Sequence, residues 1–184
     1  MFVKKSFIFV ALALILVSSN GTGEEAKAPV CFYTGGPAKA GVTIDYEGTS
    51  YAFSSGEKRT QFEQERAASL YQQIGGAAAL TAAVDLFYVK VLADDRVNHF
   101  FEEVNMTTQN RRQKAFLAAA LGAPVPWTGK DMRAAHANLD IHEADFNAIA
   151  ENLQATLTEL KLDEKLVTRI MAIVASTKDD VLNR

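Results

Sequence analysis

Cysteine is all but missing from this 184-residue chain. Cys31 stands alone, so no disulfide can close within the chain, and zinc sites built from two or four cysteines are excluded. Positive charge is not in excess either. Lys and Arg number 19 against 22 Asp and Glu, a net charge of -3 that lacks the basic balance of a nucleic-acid binder. Internal repeats and low-complexity tracts are absent. Long apolar runs are lacking too, apart from residues 7–17, and that run falls short of the roughly 20 residues a membrane span needs.

What is there is ordinary for a globular protein: 48% hydrophobic residues, enough for one full domain and a small second one. The single apolar run follows Lys4 and Lys5 and precedes small and polar residues at 18–23. That order is the grammar of a signal peptide, with an uncleaved N-terminal anchor as the alternative. Residues 1–20 are therefore expected to direct export, to the periplasm or the outside. Membrane contact is expected only through this segment.

Beyond a polar linker, apolar Val42, Ile44 and Tyr46 alternate with polar neighbours, and Glu47-Gly48-Thr49 reads as a tight turn. Tyr51 and Phe53 resume the alternation, which predicts a β-hairpin. A short charged helix over 57–66 carries Phe62 inward. Residues 21–66 thus form a small α+β segment. From Ser69 to the end the pattern is helical. Leu80, Val84, Phe87 and Val91 fall at spacings of four, three and four, one apolar stripe. A short turn of helix covers 95–101. The next helix covers 107–121, capped by Thr107 or Thr108 and stopped by the prolines that follow. A brief helix follows at 130–139. Phe146, Ile149, Leu153 and Leu157 line a longer one, and Leu166, Ile170 and Val174 line the last.

Three histidines compete as metal ligands. His99 has polar neighbours and His142 stands at a helix start, which suits a surface or a capping role. His136 lies four residues after Met132 and three before Leu139, so it is expected on their apolar face. Such a histidine is more often a core residue with one nitrogen satisfied than a ligand. Tyr88 has the same two readings, an interior phenol or a packing ring with its hydroxyl at the rim. Gln109 and Gln113 share one helical face; ordinarily that face is solvated, but buried amides would need partners.

Taken in order, these segments resemble the group I truncated haemoglobins. The carrying residues are Leu70-Tyr71-Gln72-Gln73-Ile74-Gly75-Gly76, then Phe87-Tyr88, Val91-Leu92-Ala93-Asp94 and Phe100-Phe101. Gln113-Lys114-Ala115-Phe116-Leu117 follows, then Leu121-Gly122-Ala123-Pro124. Trp127-Thr128-Gly129 leads through Met132 into Ala135-His136. The resemblance covers residues 69–184 and implies an all-α, globin-like, two-over-two helical sandwich around haem. It implies His136 as the proximal iron ligand, Tyr88 as a hydrogen-bond donor to bound dioxygen, and Gln109 and Gln113 as lining of the distal side. Phe101 matches the phenylalanine that wedges the haem in that family, and Phe116 and Met132 are further candidate contacts. Arg112, beside Gln113 and pointing toward the rim, is a candidate partner for a haem propionate or else a solvated arginine. Dioxygen, nitric oxide or carbon monoxide would be the ligands. An unidentified electron donor would be needed for nitric oxide dioxygenase turnover.

Two departures stand out. Gly122-Ala123 replaces a pair of glycines common in the family, and Leu117 stands where many members have phenylalanine, which weakens any gated-tunnel reading. Residues 21–66, with Cys31 and the hairpin, resemble a degenerate YHS domain that has lost its later cysteines. Competing readings are an exported haem-based gas sensor and a haem-free interaction protein of globin shape.

Overall fold

The computed structural model describes residues 28–182, so the expected targeting segment at 1–20 lies outside the described residues. The chain divides into two compact units, the first ending at Glu65 and the second starting at Arg66.

In the first unit, strand β1 (Thr43–Tyr46) pairs antiparallel with β2 (Thr49–Ala52), Tyr46 opposite Thr49. Glu47 and Gly48 both adopt positive φ, 48° and 78°, as a two-residue type I′ turn requires. Two strands alone bury too little to be stable. Helix α1 (Gly56–Ala68) supplies Phe62, fully buried, and the rings of Phe32, Tyr51 and Phe53 gather round it at 5.0–5.3 Å. Cys31 is buried, its thiol donating to Ser54 Oγ.

The second unit is built from helices α2 (Leu70–Gln73), α3 (Gly76–Leu92), α4 (Met106–Ala120), α5 (Met132–His136), α6 (Glu143–Glu159), α7 (Glu164–Ala175) and α8 (Lys178–Val181). Helix α3 packs on α4 and on α6, and α6 packs on α7. Two helix pairs thus form the two-over-two sandwich, with Leu70, Tyr71, Leu80, Val84, Leu157 and Ile170 in its core. Along α3 the fully inward residues are Leu80, Val84, Tyr88 and Val91. Phe87, expected in that stripe, is half-buried, and Tyr88 takes the inner place. Beyond α3, Asp94 receives both the Nε and Nη2 of Arg96 and the amide of Asn152, while Arg96 also pairs with Glu151. The Arg96 guanidinium first, then Asn152, holds the Asp94 carboxyl well below the ordinary carboxylate range. This cluster ties the end of α3 to α6.

Several boundaries differ from expectation. The turn before α4 is a 3-10 helix at Asn98–Phe101 only. Helix α4 is capped by Asn105, whose side chain accepts from the Thr108 N–H at 3.0 Å, and not by either threonine. Asparagine caps at least as well, and here it stands three residues before the N–H it satisfies. The α4 C-terminus is closed by Gly122 at φ 96°: its N–H bonds Ala119 O, and the Ala123 N–H reaches back to Ala118 O at 2.8 Å. This is a Schellman motif, so a glycine conformation ends the helix before the prolines are reached. The helix expected at 130–139 covers only Met132–His136, because Ala137 turns extended and Asn138 and Asp140 take positive φ. Leu139 is exposed and shares no helical face with His136.

A Cβ at position 122 would lie 3.0 Å from the Ser69 Cβ and would sit on a left-handed backbone. Gly122→Ala is therefore expected to destabilise the folded protein by roughly 1–2 kcal/mol, read as a lower denaturation midpoint with an unchanged slope.

Candidate functional site

Tyr88 reaches its place because α3 turns it toward the core, where only 6% of it is exposed. Its hydroxyl meets α4 there. Gln109 Nε2 donates to Tyr88 Oη at 3.1 Å across the α3–α4 interface. Burial raises the phenol's pKa above its ordinary value, outweighing the opposite effect of the Gln109 bond. The phenol is therefore neutral at physiological pH, with one lone pair engaged by the amide and its own O–H left to donate. Accepting a bond polarises that O–H and makes it a better donor. Phe101, half-buried, sets its ring edge-on to Tyr88 at 5.9 Å, and Phe87 lies 5.3 Å away. The two rings restrict the phenol sideways. Gln113, one turn beyond Gln109, is half-buried, whereas Arg112 is exposed.

His136 comes from a helix of five residues, far too short to hold itself. Asp131 caps it, accepting from the Ala134 N–H at 2.7 Å. Just before the cap, the Trp127 indole donates to the Lys130 carbonyl at 2.8 Å and packs edge-on against Phe116 at 5.4 Å. A side chain at Gly129 would run into that indole, so the close turn requires glycine. Within its first turn Arg133 pairs with Asp180 of α8 at 2.8 Å. His136 Nδ1 lies 2.7 Å from the Met132 carbonyl oxygen. A carbonyl only accepts, so the proton sits on Nδ1 and the lone pair on Nε2. That is the tautomer a metal-ligating imidazole needs, oriented through its second nitrogen.

The structure thus brings Tyr88, Gln109 and Phe101 together, joins His136 to Met132, and sets Phe116 beside Trp127. His99 is exposed and stacks on Phe100 at 4.1 Å. His142 caps α6, its N–H donating to Asp145 at 2.8 Å. Sequence reasoning missed two supports, Asp131 and the Arg133–Asp180 pair, and quoted Trp127 only as part of a motif. Asp131 stands directly before Met132, where an N-cap is readable, whereas the Arg133–Asp180 pair joins residues 47 apart and carries no local pattern.

The donor set suits haem. An imidazole anchored at Nδ1 would offer its other nitrogen to haem iron, and a protonated phenol with an amide would not compete for the iron. Among the described residues no three His, Cys, Asp or Glu side chains gather to cage a bare ion.

Comparison with known proteins agrees. The family model for bacterial-like globins matches residues 69–183. The group 1 truncated haemoglobin of Tetrahymena thermophila is 41% identical over 63% of this chain and 96% of its own length. Another, LI410 of Chlamydomonas moewusii, is 48% identical over 62% of this chain and 68% of its own. This chain belongs to the group 1 truncated haemoglobins. Haem is the cofactor of the globin. Its fold matches the 2/2 haemoglobin from Synechococcus sp. PCC 7002, solved in the cyanomet state with covalently attached haem. That match has TM-score 0.61 and 46% identity, covering 64% of this chain and 100% of that one. The truncated haemoglobin of Tetrahymena pyriformis in its Fe(III) form matches at TM-score 0.60 and 41% identity, over 62% and 97%.

Removing the cap of α5 tests how far the order of this helix holds the haem. Asp131→Ala is expected to cost about 1 kcal/mol of stability. It should also speed transfer of haem to an acceptor apoglobin, measured by the decay of the Soret band.

Proposed function

We propose that the globin holds haem through His136 Nε2, binds dioxygen with Tyr88 and Gln109 as hydrogen-bond donors, and turns over nitric oxide to nitrate outside the cytoplasm. The observation that supports this most is the Gln109–Tyr88 hydrogen bond, which leaves a neutral, buried phenol with its O–H free to be aimed at a ligand. Haem supplies an iron centre that takes a diatomic molecule and can pass through two oxidation states. The chain supplies the rest. The Met132 carbonyl, accepting from Nδ1, orients the His136 imidazole so that Nε2 would hold the haem. Tyr88 and the second N–H of Gln109 would offer hydrogen bonds to a partly negative diatomic ligand. Each such charge-assisted bond contributes roughly 1.5–3 kcal/mol, which slows release by one to two decades. Phe101 and Phe116 offer apolar contact to the macrocycle, with Met132 beside the imidazole. Gln113 lines the same side as Gln109, and Arg112, exposed, suits a propionate.

The relatives support the distal assignment. The Tetrahymena pyriformis protein has also been solved with a tyrosine changed to phenylalanine and with two glutamines changed, one at a time, to glutamate. Those three positions follow one another at the spacing of Tyr88, Gln109 and Gln113 here. Tight oxygen binding with slow release suits consumption of nitric oxide better than bulk transport. Each turnover to nitrate leaves the iron one electron short, so an electron donor is required. Export rests on the apolar run after Lys4 and Lys5.

The deciding experiment is the absorption spectrum of purified His136→Gly. It should lack the Soret band of the parent and regain it when imidazole is added; pigment unchanged by the substitution would end the assignment. Mixing the oxygenated protein with nitric oxide in a stopped-flow instrument then separates turnover from sensing, because a sensor would show slow or no nitrate formation. Tyr88→Phe should raise the dioxygen dissociation rate by one to two decades, roughly the worth of one charge-assisted bond. The pH profile has a fixed sign: protonated phenol donates, and its pKa is raised. Dissociation should therefore stay flat from neutrality to the ordinary tyrosine value of about 10 and quicken only beyond it.

A further inference from the structure

Asp85 stands on α3 three residues before Tyr88, with about half of its side chain in solvent. One of its oxygens, Oδ1, accepts from Asn110 Nδ2 at 2.7 Å and from Lys114 Nζ at 2.7 Å. Both partners lie on α4, four residues apart and so one above the other on a single face. Each directly follows a residue assigned to the distal side, Asn110 after Gln109 and Lys114 after Gln113. Lys114 first, then Asn110, draws the Asp85 carboxyl below its ordinary pKa, so it is charged throughout the working range.

As a stabiliser, an ion pair this exposed is worth little. Its geometric effect is larger. Two contacts one turn apart on α4, converging on one oxygen of α3, fix both the rotation of α4 about its axis and its slide along α3. Those two variables decide whether Gln109 Nε2 reaches Tyr88 Oη, since a slip of one residue turns a side chain through about 100°. The apolar packing between α3 and α4 tolerates small rotations; a directional polar clamp does not.

We propose that Asp85 is a positioning residue for the distal pair, acting through Asn110 and Lys114 to keep Gln109 on the Tyr88 hydroxyl. The inference rests on the distal roles proposed above for Tyr88 and Gln109.

The test uses the haem-loaded full chain and two readouts: the dioxygen dissociation rate, and the infrared stretching band of bound carbon monoxide, which reports the local field without any turnover. Tyr88→Phe and Gln109→Leu are measured first. If neither moves either readout, the distal reading fails and this inference falls with it. If they do, Asp85→Ala is expected to raise the dissociation rate roughly three- to tenfold and to shift or split the carbon monoxide band toward that of Gln109→Leu. Asp85→Asn keeps an acceptor oxygen for both partners and should recover most of the parent behaviour. In the Tyr88→Phe background the effect of Asp85→Ala should shrink to what Gln109 contributes directly, and in the Tyr88→Phe, Gln109→Leu background it should vanish from both readouts. An Asp85→Ala protein identical to the parent overturns the proposal while leaving the distal reading intact. An equal effect with and without the Tyr88–Gln109 pair also overturns it, because that marks general loosening. Should Asp85→Ala fail to retain haem, Asn110→Ala and Lys114→Met break the same clamp from the other helix and must show the same dependence on Tyr88.

Discussion

A proton held between His136 Nδ1 and the Met132 carbonyl fixes the orientation of the imidazole on α5. It decides which imidazole nitrogen carries the lone pair, and it decides the direction in which that lone pair points. Everything around it serves the same end. Asp131 begins the five-residue helix, Trp127 and Gly129 close the turn before it, and Arg133 ties it to α8. A helix so short has no stability of its own, because fixing its first turn costs more than its few hydrogen bonds return. Its geometry is therefore imposed by its cap and its neighbours, and those contacts gather at its first turn.

The opposite side is built by a different means. Tyr88 belongs to the hydrophobic core of α3, between Val84 and Val91, and takes its position from the packing of α3 against α4 and α6. The same burial that holds the ring raises the phenol's pKa, so structural and chemical roles share one cause. Gln109 then satisfies the hydroxyl's acceptor capacity. Polar clamps around α3 add direction to this packing: Lys90 with Glu159 of α6, Asp94 with Arg96 and Asn152, Asp85 with α4. The Lys90 and Asp85 pairs are exposed enough to contribute little energy, whereas Asp94 is largely sheltered, and together they restrict the sliding that apolar packing would allow.

The helical architecture was legible in the sequence because apolar spacing repeats through α3, α6 and α7 and because the truncated-globin motifs occur in order. The inner stripe of α3 shows the limit of that signal. From Leu80, positions seven and eight residues on both lie near the same face of a 3.6-residue helix, so periodicity could not choose between Phe87 and Tyr88. Tertiary packing chose Tyr88. The end of α5 was misjudged for a local reason: Asn138 and Asp140 tolerate positive φ, and that tolerance broke the helix before Leu139. Asn105 was passed over because three capping residues stand close together, and only the geometry of the entering chain selects one. The Asp85 clamp was invisible, since exposed charges on separate helices leave no periodic trace. The resemblance supplied what spacing alone left open, the choice of His136 over a satisfied core histidine.

The two sides of the site differ in how tightly they are bound into the fold, and that difference has a mechanical consequence. Tyr88 and Gln109 sit in a packed interface between two long helices, where movement of Tyr88 would disturb Val84, Leu157 and their neighbours. His136 sits on a short helix held by polar contacts, several of them exposed. A group that bound only the ordered form of α5 would draw the equilibrium toward that form. Under the proposed roles, fine aim would lie with the packed phenol and amide, and compliance with the helix that takes up the haem.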